Sequence, residues 1–196
     1  AVLCLYDFAC AFPSVAHQYL FLVLEFLGCP VGLINVICAI YKQCIAYTKI
    51  NGGSKEWFAH RLRGILQGCP ASGWLFAISI DPLLRLMCKT IEINQCKGTV
   101  RACADDVGAA LAKLRYLHCM VGAFECAKSV AGMDLNKAKC KIVVCSFVVN
   151  EDLKNRIKTW LLQNISQWQF FQVVGAAEYL GFFIGPGACL EQWKKL

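Results

Sequence analysis

Three aspartates stand in settings where a carboxylate can do chemistry. Asp7 closes the apolar run 1–6, and Asp105 and Asp106 are adjacent between two short apolar segments, 99–103 and 107–112. Neighbours in a straight strand point to opposite faces of a sheet, but at a tight turn both can approach one ion. Ionised carboxylates held close together repel and raise each other's pKa unless a cation sits between them. Hard oxygen donors of this kind suit Mg²⁺ or Mn²⁺, and two such ions can clamp the attacking and leaving oxygens of an in-line phosphoryl displacement. The same residues also have a plainer reading. An Asp after a strand is commonly a turn or cap residue, and Asp-Asp in a hairpin is common turn chemistry.

The elements that would position these groups follow from periodicity and punctuation. Residues 1–6 have the length of a buried strand. Ser14 is a plausible N-cap for a helix over 15–27, buried on most sides and ended by Gly28 and Pro30, with a second apolar helix over 33–46. Asn51-Gly52-Gly53 predicts a hairpin between 46–50 and 56–63. Residues 64–70 read as irregular and 72–89 as a long helix that Pro82 can kink. Segments 99–103 and 107–112 form a tight hairpin around Ala104-Asp105-Asp106. Leu114, Leu117, Val121 and Phe124 keep helical spacing up to Gly132. A strand over 141–147 follows, then a helix capped at Asn150 with Leu153, Ile157, Trp160 and Leu161 on one face, and a last strand over 179–184. The fold class is α+β, with antiparallel hairpins and helices covering one face.

Composition narrows the function classes. Hydrophobic residues make up 58% of the 196 and charged residues 17%, which excludes a disordered chain. The apolar stretch 19–41 is broken by Glu25, Asn35 and the Gly28–Gly32 turn, so two helices joined by a turn explain it better than a membrane span. The net charge of +7 permits a polyanionic partner. Fourteen cysteines include no C-x-x-C pair, and there is no paired-His motif. Most sit in apolar runs and read as small buried hydrophobes of an intracellular, reducing compartment, nucleus or cytoplasm being left open.

Five motifs in order resemble those of reverse transcriptases of non-long-terminal-repeat (LINE-type) retrotransposons. They are Asp7-Phe8-Ala9-Cys10-Ala11-Phe12-Pro13-Ser14-Val15 with His17; Arg63-Gly64-Ile65-Leu66-Gln67-Gly68-Cys69-Pro70 with Ser72; Ala104-Asp105-Asp106-Val107; Gly132-Met133-Asp134-Leu135-Asn136 with Lys139-Cys140; and Tyr179-Leu180-Gly181-Phe182. The combination of Gln-Gly-Cys-Pro, Ala-Asp-Asp and Tyr-Leu-Gly is specific, and the resemblance covers nearly the whole chain.

This resemblance implies a polymerase palm, a small antiparallel sheet backed by helices with the carboxylates on its open face. Residues 1–147 would be the catalytic core, and 148–196 a helix and primer-grip-like hairpin. The complete fingers and thumb of the family would lie outside 1–196. It implies that Asp7, Asp105 and Asp106 hold two Mg²⁺ ions, with Mn²⁺ as a substitute, for transfer of a deoxynucleotide to a primer 3′-hydroxyl. Phe12 would exclude a 2′-hydroxyl, Gln67 and Gly68 would shape the pocket for the nascent base pair, Lys139 would lie near the triphosphate, and Tyr179, Leu180 and Gly181 would grip the primer. The implied partners are an RNA template, a DNA primer and deoxynucleoside triphosphates, with no membrane. Basic residues cluster at Lys137, Lys139 and Lys141 and at Lys154, Arg156 and Lys158, where phosphates would bind in a salt-dependent way. Cys103 departs from the family's Tyr or Phe, Pro13 replaces a common second Asp, and Gly73-Trp74 replaces a usual Pro. The rival readings are an inert or co-opted palm remnant, a maturase-type RNA-binding protein and a small membrane protein.

Overall fold

The computed structural model describes residues 1–42, 45–49, 55–60, 62–66, 68–145 and 149–193. The chain opens with β1 (Val2–Tyr6), ended by Asp7 as its apolar run predicts. A single helical turn, α1 (Ala11–Ser14), comes next, then α2 (His17–Phe26) and α3 (Val31–Tyr41). Ser14 does not cap α2: its hydroxyl donates back to the Ala11 carbonyl at 3.0 Å, and α2 begins after Ala16 with no side-chain cap. The second helix also differs from its expected bounds. It starts behind Pro30, whose fixed φ suits a helix entry, and stops at Tyr41, so that Ile45 opens a strand instead. This strand, β2 (Ile45–Lys49), pairs antiparallel with β3 (Lys55–His60) as the turn signal predicts; the turn residues 51–53 lie outside the described residues.

Helix α4 (Ser72–Ile93) runs longer than periodicity suggests and carries Pro82 inside it. Ser79 bonds back to the Leu75 carbonyl at 2.7 Å, and its own carbonyl accepts from the Tyr19 hydroxyl at 2.8 Å. A proline and a back-bonding serine both loosen the helical ladder locally. Strands β4 (Gly98–Cys103) and β5 (Asp106–Leu111) form the expected hairpin. Then come α5 (His118–Cys126), a π-helical turn over Ala127–Ala131 closed by Gly132, β6 (Lys141–Val144) and α6 (Glu151–Asn164). The Asn150 side chain accepts from the Leu153 amide at 2.9 Å, the predicted cap. Three short strands, β7 (Gln172–Val174), β8 (Ala177–Tyr179) and β9 (Phe182–Ile184), precede α7 (Ala188–Gln192). The predicted single strand 179–184 is therefore a hairpin, because Leu180 and Gly181 both take positive φ and reverse the chain.

The chain divides into two compact units. One comprises Ala1–Ala9, Leu83–Cys126 and Asp134–Leu196. Its sheet has the order β4-β5-β1-β6-β7, antiparallel except for β7, which pairs parallel with β6. Register places Val2, Cys4 and Tyr6 of β1 beside Val107, Ala109 and Leu111 of β5 on one buried face. Tyr6 packs there on Phe124 (4.5 Å between ring centroids) and edge-on to Trp168 (5.9 Å), and Trp168 stacks on Phe171 (4.9 Å). Such aromatic pairs add about 0.5–1.5 kcal/mol each to their burial. The opposite face is partly covered too: Leu5, Val143 and Ala177 form a second small core, with Leu3, Val174 and Tyr179 against it.

The other unit comprises Cys10–Pro82 and Ala127–Met133. His17, buried, bonds through Nε2 to the Gly64 carbonyl at 2.9 Å. The helices here are not buried on most sides. α2 buries His17, Leu20, Val23 and Leu24, and α3 only Ile37 and Tyr41, while Phe26 is 88% and Val31 72% exposed. The cysteines correct the sequence reading in the same way. Those described are free thiols, but only Cys4 and Cys140 are buried, and Cys10, Cys88, Cys103, Cys126, Cys145 and Cys189 are exposed. An apolar run does not bury every member when its helix or turn keeps one side in water. Among the described residues no helix is long and apolar enough to cross a membrane.

Candidate active site

The β4–β5 hairpin turns on Ala104 and Asp105, with Cys103 opposite Asp106. Ala104 takes φ +51, a left-handed conformation that costs a residue with a Cβ about 1 kcal/mol. Asp106 thereby becomes the first residue of β5 and Asp105 the exposed turn residue.

Asp7 sits one residue past the end of β1, whose paired registers stop at Tyr6 with Val107 and Leu5 with Lys141. Its main chain is held instead by the segment 134–140. The Asn136 amide donates to the Asp7 carbonyl at 2.8 Å, and the Asp7 amide donates to Cys140 Sγ at 3.3 Å. Just beyond, Phe8 bridges Leu135, and the Ala9 amide donates to the Asp134 carbonyl at 2.9 Å. Burial pushes the Cys140 thiol up to about 12, so it stays protonated.

Asp7 and Asp106 line one cavity of about 90 Å³, together with Leu5, Tyr6, Val107, Lys139, Lys141, Glu178 and Tyr179. The Asp106 carboxyl is raised above the ordinary range, first by partial burial and then by the charges of Asp105 and Asp7. Like charge has thus accumulated at this point. Among the described residues, no group of three or more His, Cys, Asp or Glu is placed to hold a metal ion; Asp7 and Asp106 share the cleft, and Asp105 acts on it through its charge. Two hard carboxylates under mutual repulsion have the donor chemistry to hold a divalent cation, whose charge would relieve that repulsion.

Tyr179 closes another side of the cleft. Its hydroxyl donates to the Asp106 carbonyl at 3.3 Å, and its ring also borders an apolar cavity of about 190 Å³ lined by Leu3, Leu5, Gly108, Ala110 and Ile184. Leu180 (φ +52) and Gly181 (φ +83) form the turn beyond it.

The remaining predicted residues fall elsewhere. Phe12, in the second unit, is half-buried and stacks on Phe76 with ring centroids 4.3 Å apart and planes at 19°. Gly68, also in that unit, takes φ +83 and is exposed. Gln67 lies outside the described residues. Lys141, which the sequence places in the basic cluster with Lys137 and Lys139, lines the cleft, as does Glu178, which no sequence signal marks. Lys139 lies in the turn before β6, and Lys141 is the first residue of that strand.

A sheet antiparallel but for its edge strand β7, with an aspartate just past the end of its central strand, paired aspartates at the adjoining hairpin tip and helices behind it, has the architecture of a polymerase palm. The family model described as reverse transcriptase (RNA-dependent DNA polymerase) matches residues 1–184, and the chain belongs to that family. Similar sequences include a Pol polyprotein of the type-2 retrotransposable element R2DM of Drosophila melanogaster, 28% identical over 136 residues, 68% of this chain and 13% of that protein. The corresponding polyprotein of the type-1 element R2 of Bradysia coprophila is 35% identical over 81 residues, 41% of this chain and 9% of that protein. An uncharacterized 149 kDa protein of transposon TX1 from Xenopus laevis is 31% identical over 102 residues, 50% of this chain and 8% of that protein. The chain thus spans a small part of these relatives and is a retroelement-type reverse transcriptase domain. Telomerase structures share its fold: that of Candida albicans, solved with a fragment of telomeric RNA, at TM-score 0.65 and 12% identity over 94% of this chain and 30% of that one, and that of Candida tropicalis at TM-score 0.64, 13% identity, 94% and 34%.

Proposed function

We propose that this domain is the palm of an RNA-directed DNA polymerase and supports transfer of a deoxynucleotide to a primer 3′-hydroxyl. The observation that carries this reading is the single cleft shared by Asp7, Asp106, Lys139 and Tyr179, four residues from separate motifs. Asp7 and Asp106, with Asp105 beside them, are the residues that would hold Mg²⁺ or Mn²⁺. When bound, such ions supply positive charge against the attacking oxygen and the phosphate. Lys139 and Lys141 line the same cleft, where their positive charges would attract a triphosphate. Tyr179, with Leu180 and Gly181, forms a hairpin wall along which a primer end would lie. Phe12 would set sugar selectivity, and Gln67 and Gly68 would border the templating base. Residues 1–147 would carry the catalytic core and 148–196 the supporting helix and grip. RNA template, DNA primer and deoxynucleoside triphosphates are the corresponding partners.

Primer extension on an RNA template with Mg²⁺ and deoxynucleotides tests the proposal, in the domain and in a longer retroelement protein containing it. Incorporation should fall to background in Asp7→Asn and Asp106→Asn. Retained incorporation by either variant, folded as judged by circular dichroism, would overturn the site.

A further inference from the structure

Asp7 carries a carboxylate of the cleft, yet no paired strand register holds it, since the β1 ladders end at Tyr6 and Leu5. The groups that do hold it come from the turn before β6. Cys140, fully buried, takes the Asp7 amide proton on its sulfur at 3.3 Å and turns its own S–H toward the Asp7 carbonyl at 3.7 Å. The same carbonyl receives the Asn136 amide at 2.8 Å, and the Cys140 amide donates to the Asn136 carbonyl at 3.1 Å, closing the turn that presents the thiol. Lys139, which lines the cleft, is the residue immediately before.

We infer that Cys140 is a positioning residue for Asp7: one thiol, as acceptor and donor, fixes the Asp7 main chain where the ladder gives out and so fixes the direction of its carboxylate. A thiol suits this place because it combines the volume of a small hydrophobe with a weak donor and a weak acceptor. Valine fills that space but leaves the Asp7 amide without its partner, a loss that buried polar groups do not tolerate well. Serine keeps both hydrogen-bonding capacities on a shorter bond. The inference rests on the reading of Asp7 as a site carboxylate, and its test separates the two.

The test compares Cys140→Val, Cys140→Ala and Cys140→Ser by amide hydrogen exchange at Asp7, read by NMR, and by Mn²⁺ titration, with urea unfolding as the measure of global stability. In Cys140→Val and Cys140→Ala the Asp7 amide should exchange about tenfold faster or more, beyond any change at Cys4 and Tyr6, and Mn²⁺ should bind several-fold more weakly. Cys140→Ser should restore both to within about threefold. Wild-type protection of Asp7 in Cys140→Val would overturn the inference, leaving Cys140 as core filling. If Asp7→Asn binds Mn²⁺ as the wild type does, the reading of Asp7 falls, and the catalytic meaning of the clamp with it. If instead Asp7→Asn loses Mn²⁺ while Cys140→Val keeps wild-type affinity, the site stands and the positioning role alone fails.

Discussion

The phenol of Tyr179 donates to the main-chain carbonyl of Asp106 at 3.3 Å, tying the β8–β9 hairpin to the hairpin that carries the paired aspartates. Burial, then the charges of Asp106 and Cys103, raise the Tyr179 phenol above its usual value, so it remains a donor at any physiological pH. Removing only the hydroxyl, as in Tyr179→Phe, should cost little stability, about 0.5–1 kcal/mol for a partly exposed neutral hydrogen bond. It should, however, lower primer extension more than it lowers the melting temperature, because the bond holds a carboxylate-bearing residue. Equal extension rates for the variant and the wild type would show that the contact has no bearing on the site.

Asp106 yields a pH dependence whose sign follows from its surroundings. Partial burial, Asp105 and Asp7 all disfavour its ionised form in the folded state, so the folded chain binds its proton more tightly than the unfolded chain. A carboxyl raised in this way contributes stability that is fully present below the unfolded value near 3.8 and is lost as pH rises through the higher folded value. In metal-free buffer at neutral pH, Asp106→Asn should therefore melt at a higher temperature than the wild type, and the gap should close as pH falls toward 4. Added Mg²⁺ should raise the melting temperature of the wild type and not that of the variant. Thermal scans across pH, with and without the ion, check both.

The same two hairpins show what could be read from the chain beforehand. The β4–β5 turn and the Asn150 cap rest on local chemistry, a reversal between two apolar segments and a side-chain oxygen at a helix start, and both appear where local rules place them. The β8–β9 hairpin was legible only through its motif, since strands of three residues are too short to show a period. β7 is equally short and joins the sheet in parallel through a long connection, so nothing near it in sequence announces it. The boundary between α3 and β2 does not show in the sequence because the apolar run continues past Tyr41 although the chain changes structure. At the site, Asp7 and Asp106 stand out by their setting in the sequence and Lys139 and Tyr179 by their motifs, whereas Glu178 reaches the cleft only through the packing of its hairpin.

Gly132 ends the π-helical turn at φ +80, and a Cβ built on it would lie 2.6 Å from the Ser14 carbonyl oxygen. Gly28 also has positive φ, +68, but a Cβ there meets nothing within 4 Å. The comparison separates conformational strain from steric conflict. Gly28→Ala should cost about 1 kcal/mol, the strain of a left-handed alanine. Gly132→Ala should cost distinctly more, because backbone must move to admit the methyl group. Urea unfolding of both variants measures the difference, and equal losses would show that the Ser14 segment yields freely.

Phe12 offers the sharpest test of the proposed selectivity. Its ring lies against that of the fully buried Phe76, 4.3 Å away and 19° from parallel, and its carbonyl accepts from the Ile65 amide at 2.8 Å. The stack restricts the ring and the main-chain bond holds its backbone, which suits a steric gate, since a group that swings aside freely excludes nothing. Phe12→Val shortens the side chain while leaving its main-chain bond to Ile65 intact. Steric rejection of one small group by a rigid wall is worth about 1–3 kcal/mol, or roughly 10–200-fold. The ratio of deoxynucleotide to ribonucleotide incorporation should therefore fall by about that factor in Phe12→Val, with deoxynucleotide incorporation reduced far less. Phe76→Leu, which removes the stacking partner and not the gate, should give a smaller fall in the same direction. Single-nucleotide extension with each nucleotide type measures the ratio, and an unchanged ratio in Phe12→Val would assign Phe12 to the core of its own unit alone.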